Sequence, residues 1–361
     1  MIEITMQGNF VQNTTNASSL GDGMKVETSL SVSIWIHPLI WDFFVTFNNT
    51  VCGNIITVFG IFGNIINIIV FYKQGYEDSV NITLTALAVS DIGALLTVLI
   101  FNEMLNPWFL KADLPILQTD FISMLAFFPH NYFIRVCGLI TAFASCERCL
   151  CVLVPLKVKQ IVTKRFSLLV NICIFFIMVL DLFPVYYVVY FDWMFIPQLN
   201  KSIIASHFRQ NPYNIFSISY FVTDVFIPYF TFFTIIFSNI IIAIKLKSRS
   251  EWLNSVSHQN TNKEKFVSNK EKKVVLMLTV VSVIFIVCLI PQSAILTAVS
   301  QVSGLGNGGI YFDLALLCYS FAYLMEAVCS SVNILVYYKM SSKYRETIRG
   351  MGFILCKLKF N

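Results

Sequence analysis

The sequence predicts an all-α membrane protein: a seven-transmembrane helix bundle with its N-terminus outside and a short amphipathic helix after the seventh span. Three observations carry this. The 361 residues are 57% hydrophobic and only 12% charged, whereas soluble domains run near a quarter charged. Seven apolar runs each reach about the ~20 residues needed to cross ~30 Å of hydrocarbon. The basic residues fall overwhelmingly on one side of those runs, which orients them.

The chain divides into an extracellular glycosylated tail (1–48), a seven-transmembrane domain (49–340) and a cytoplasmic tail with a short surface helix (341–361). The tail is rich in Asn, Ser and Thr and too polar to pack alone. Glycosylation patterns stand at Asn13, Asn16 and Asn48, and another at Asn200. Met1 to Phe10 lack a basic start and an apolar core, so no cleavable signal peptide is expected and the first helix would act as the anchor.

The runs lie at about 50–72, 81–106, 119–152, 166–190, 213–245, 273–302 and 311–338. Backbone facing lipid must satisfy its own hydrogen bonds, so these are helices. Prolines 107, 155, 184, 228 and 291 mark ends or kinks. Residues 246–272 read as a polar loop. Residues 341–349 read as a surface helix interrupted by Gly350 and Gly352. With the N-terminus outside, only Lys25, Lys111, Lys201 and Arg209 are external, while nineteen of the 25 basic residues are internal. These four sequons then fall outside as well, while a fifth, Asn81-Ile-Thr, falls inside, where it would be inert. No internal repeat is present, which counts against an inverted-repeat transporter.

Ionisable and polar groups within such runs are expensive and therefore informative. The third run ends in Glu147-Arg148, with Pro155-Leu156 beyond it; the bland alternative is an arginine snorkelling to the headgroups. Asn64, Asp91 and Asn333 can meet as a buried polar cluster, or serve as packing glue between helices. Ser330, Asn333 and Tyr337 share one helix face. The ten cysteines show no metal-ligand spacing, so no metal is expected, and no cofactor.

Gly63-Asn64, Leu87-Ala-Val-Ser-Asp91, Glu147-Arg148 with Pro155-Leu156, Pro228, Phe285 with Cys288-Leu-Ile-Pro291, and Asn333-Ile-Leu-Val-Tyr337 together resemble the helix signatures of rhodopsin-like (class A) G-protein-coupled receptors. More narrowly, Glu147-Arg-Cys-Leu-Cys-Val, Lys272-Lys-Val-Val and the segment from Ser330 to Arg345 are similar to chemosensory receptors of gastropod molluscs. The resemblance implies a plasma-membrane receptor that binds an extracellular ligand and activates a heterotrimeric G protein. It implies that Arg148 pairs at rest with Glu147 and with Glu271 at the base of the sixth helix, a latch that an agonist opens. Glu271 could equally be an ordinary loop charge. The same likeness gives activation roles to Phe285, Pro291, Asn333 and Tyr337.

The chain also departs from the family pattern. Leu289 stands where an aromatic is usual, Ile334 where proline is, and Ile236 where tyrosine often is. Ser123 occupies the place of the third-helix disulfide cysteine, and residues 186–213 contain no cysteine. That loop must be held by packing, or be mobile. Cys137 and Cys329 replace the usual partners around Asp91, which argues against sodium there.

By analogy the ligand site lies between helices three, five, six and seven. The polar candidates are His130, Asn131, Arg135, Asp224, Gln292 and Glu326. His130 stands where amine receptors carry aspartate, which disfavours an amine; Ala327 stands where an opsin carries its retinal lysine. Arg135 with Asp224 or Glu326 offers both charge signs to a zwitterion, unless arginine and carboxylate merely neutralise each other. His130 and Arg135 lie about 140° apart around the helix, so both cannot face one ligand. Cys356, beside Lys357 and Lys359, fits a palmitoylated cysteine or a free thiol. The leading reading is a small-molecule chemosensory receptor. The alternatives are a neuropeptide receptor and, less well supported, a transporter or channel. No nucleophile–base constellation suggests an enzyme.

Overall fold

A computed structural model of the chain describes residues 43–106, 109, 112–197, 200–209, 213–255, 262–305 and 310–358. Asn13 and Asn16 lie outside the described residues. Seven helices are long and apolar enough to span a bilayer: α1 Phe43–Gln74, α2 Ser79–Met104, α3 Asp120–Leu153, α4 Lys164–Val188, α5 Asn214–Ser248, α6 Val274–Val299 and α7 Leu314–Met340. A further helix, α8, covers Ser342–Leu358. Local signals set several ends. Asp78 caps α2 by accepting from the Val80 amide at 3.1 Å, and Thr163 caps α4 through Phe166 at 3.2 Å. Gly75 ends α1 at φ 84°, a conformation that favours glycine.

Large apolar side chains cover the outside of the bundle, while its ionisable groups are kept inside, beside an apolar core. Leu169, Phe176, Ile177 and Phe183 of α4 are each about 60% exposed, while Asp91, His130, Arg135 and Glu147 are buried. Only lipid makes that arrangement favourable, because exposed side chains of this kind gain nothing from water. The protein is a multi-pass plasma-membrane protein. Helices approach closely where side chains are missing: a Cβ on Gly93 would fall 2.3 Å from the Phe133 ring, joining α2 to α3.

Two elements differ from the sequence reading. The helices of α5 and α6 run beyond their apolar spans, to Ser255 and from Asn262. Extending a formed helix through Lys, Glu and Ser is cheap, so most of the expected polar loop is helical. Likewise α8 continues through Gly350 and Gly352 rather than stopping there.

The segment after α4 forms an antiparallel hairpin, β1 Val189–Ile196 with β2 Lys201–Phe208, pairing Val189 with Phe208. Asn200 turns the chain at φ 46°. The hairpin is fastened to the bundle without a disulfide. Asp120 at the start of α3 accepts from the Ser206 amide and hydroxyl, each at 2.7 Å. Ile204 exchanges backbone bonds with Pro115 and Leu117, Lys201 pairs with Asp113, and the Tyr186 hydroxyl donates to the Met124 carbonyl.

Wide π turns interrupt α3 at Ser123–Phe127 and α5 at Phe221–Phe226. Each lies just before a proline, Pro129 and Pro228. A proline ring clashes with the carbonyl four residues earlier, here Leu125 and Asp224. Both carbonyls lie in a wide turn that relieves the clash.

Candidate functional site

At the hairpin end, α3 to α7 enclose a cavity of about 250 Å³, with the end of α2 contributing Phe101 and Leu105. Its walls are mainly apolar and aromatic. Polar atoms come from Asn131, the two carboxylates Asp181 and Asp224, and the hydroxyls of Ser219, Thr223 and Tyr319, among others. The π turns bring Ser123 and Phe127 of α3, and Thr223 and Asp224 of α5, onto the wall.

Of the six expected ligand residues, only Asn131 and Asp224 line this cavity. The other four do not line it. His130 Nε2 lies 2.9 Å from Glu326 Oε2, both side chains 2% exposed, which joins α3 to α7. Its Nδ1 contacts Thr97 Oγ1 and the Ala94 carbonyl, both at 3.3 Å. Arg135 Nη2 lies 3.0 Å from Asp224 Oδ1, which joins α3 to α5. The two basic side chains thus leave α3 in different directions, as their angular separation requires, and each meets its own acid. Arg135 is an internal bridge, so the cavity wall has no basic pole for a zwitterion. Gln292 is buried in α6.

Asp181 and Tyr319 were missed, although the sequence carried a signal for the first. Asp181 is a carboxylate in the fourth lipid-length run, and the rule that singles out Asp91 singles it out too. Tyr319 gave none, because tyrosine is unremarkable in such a helix.

Midway along the bundle, Asn333 Nδ2 donates to Asp91 Oδ2 at 2.8 Å and the Cys137 thiol donates to Asp91 Oδ1 at 3.3 Å. Asn64 does not join them directly. Its amide donates to the Ser330 and Gly60 carbonyls and its oxygen accepts from Asn67. A short side chain anchored on the α7 backbone cannot also reach Asp91. Phe285 packs in the core beside Gly138, whose Cβ would lie 3.2 Å from its ring. Pro291 stands inside the helix of α6. Tyr337 is buried against Phe71 and Tyr344. The Tyr344 hydroxyl donates to Asn67 at 2.5 Å and fixes the start of α8; burial pushes its phenol above the usual tyrosine range.

At the far end, Glu147 accepts from Ser167 at 2.6 Å and Thr83 at 3.1 Å, so it knits α2, α3 and α4. Arg148 Nη2 is only at the edge of ion-pair range, 4.0 Å from Glu147, and its Nε has no partner. The Glu147–Arg148 ion pair is therefore a long one, and the hydroxyls of Ser167 and Thr83 supply the carboxylate's hydrogen bonds. Ser145 and Ser282 join α3 to α6 at 2.9 Å.

Residues 63–333 match the family model described as 7 transmembrane receptor (rhodopsin family). The chain belongs to the rhodopsin family of seven-transmembrane receptors. No curated protein matches it. In this rhodopsin-family receptor, a class without catalytic function, the match starts at Gly63 and ends at Asn333, two of the motif positions read from the sequence. The positions expected to be modified differ in their surroundings. Asn48 is 4% exposed and donates to Ser320 at 3.2 Å, so the expectation of a glycan there is corrected: its amide nitrogen is inside the bundle. Asn200 is exposed at the hairpin turn. The side chains of Glu271 and Cys356 lie outside the described residues.

Proposed function

We propose that this receptor converts binding of a small extracellular molecule into activation of a heterotrimeric G protein, as chemosensory receptors do. The hairpin end faces outward and the Arg148 end faces the cytosol, in agreement with the basic-residue asymmetry. The observation that carries the reading is the double placement of Asp224. One side of it lines the cavity and the other holds Arg135, which packs with Pro228 and Phe285 around a small gap below. A ligand that competes for Asp224 therefore loosens a tie between α3 and α5 directly above the α6 core, and so shifts the population towards an open cytoplasmic end. The cavity is smaller than the ~300–1,000 Å³ of drug-sized sites, which favours a small molecule over a neuropeptide. Asn200 carries a glycan in this topology.

A ligand screen of the surface-expressed receptor with a promiscuous G protein, run beside Arg148→Ala, tests the coupling. The expected result is a response reduced at least about tenfold in the variant, with ligand binding kept. An undiminished response in Arg148→Ala overturns the mechanism.

A further inference from the structure

We infer that the cavity binds a cationic amine with an apolar body, with Asp181 of α4 as its counter-ion and the Tyr319 hydroxyl as a second contact. The inference rests on the receptor reading above and gives its ligand a chemical class. It also departs from the sequence reading, in which His130 at the third-helix position spoke against amines.

Charge is the first argument. Asp181 and Asp224 both line the cavity, and no lysine, arginine or histidine does. Asp224 is already matched by Arg135. Among the described residues Asp181 has no cationic partner; it has a single contact from the Ser219 hydroxyl, at the 3.5 Å limit. A carboxylate on an apolar wall within the membrane is costly without a counter-charge, and the protein supplies none.

A second, independent observation points to a ligand. Tyr319 is 8% exposed, lines the same cavity, and its hydroxyl has no hydrogen-bond partner. A buried hydroxyl left unpaired has lost its water without compensation. Tyr319 and Asp181 line one cavity, so a single small ligand can pair its ammonium with Asp181 while it meets the Tyr319 side chain. Aromatic rings dominate the remaining wall, and their faces attract a cation while their edges bury an apolar body. An anion would meet repulsion from Asp181, and a neutral alcohol would forgo the charge-assisted bond.

The test uses the full-length receptor in lipid nanodiscs. Its unfolding midpoint is followed against 2-phenylethylamine, its neutral counterpart 2-phenylethanol, the anion phenylacetate, and a series of shorter alkylamines. Amines should stabilise the wild type, the alcohol at least about tenfold less potently, and the anion not at all. Asp181→Asn should lose the amine preference while its ligand-free midpoint stays equal or rises. Tyr319→Phe should weaken the amine about threefold to tenfold. The inference is overturned if no amine stabilises the wild type, if alcohol or anion matches the amine, or if Asp181→Asn still prefers the amine. The wild-type comparison stands even where a variant fails to fold. The midpoint involves no G protein, so amine binding without signalling would sink the coupling reading alone.

Discussion

Asp224 is the residue on which the site turns, because it belongs to both a cavity wall and a buried ion pair. Removing its charge leaves the Arg135 guanidinium buried and unmatched, which costs about 3–5 kcal/mol. Asp224→Asn should therefore lower the unfolding midpoint of the purified receptor. Replacing both partners, as Arg135→Met with Asp224→Leu, should restore most of it while abolishing ligand-driven signalling. At this scale the sequence was partly legible. Helical spacing showed that His130 and Arg135 diverge, and the structure gives each its own acid. Which acid belongs to which base was not legible, since pairing residue 130 with 326 depends on the relative register of two helices. Asn64 shows the same limit: its motif was plain, but its true partner is a backbone carbonyl that no side-chain pattern reveals.

Among the elements, the hairpin was the least readable. Its sequence lacks the cysteine that marks such loops, and packing or mobility was all that could be inferred. The structure supplies the fastener, the Asp120 carboxylate clasping Ser206 of β2. Asp120→Ala should speed amide hydrogen exchange in Lys201–Phe208 by about tenfold or more, with exchange in α7 unchanged. The π turns of α3 and α5 were hidden for a different reason. Periodicity assumes 3.6 residues per turn, and two extra-wide turns shift every later side chain while leaving the apolar run intact. Pro129, overlooked among the other prolines, was the available clue. The seven spans themselves were read to within several residues, because lipid-length apolar runs are the strongest signal a sequence carries.

On the scale of the whole molecule, composition was nearly sufficient. A chain with 12% charged residues keeps few of them inside its helix bundle, and the buried pairs and the Asp91 cluster are where those few stand. Orientation can be checked on intact cells. A glycosidase-sensitive mobility shift should shrink in Asn200→Gln and vanish once Asn13 and Asn16 are replaced as well, and an epitope fused after Asn361 should be reached by antibody only after permeabilisation. Surface labelling of that epitope would reverse the topology and the function built on it. The missing cross-link has an environmental meaning. The hairpin sequence contains no cysteine, and a carboxylate clasps it instead. Glutathione, sulfide or a stagnant anoxic medium therefore finds no bond there to cut, and the hairpin keeps its fastening when its surroundings turn chemically reducing.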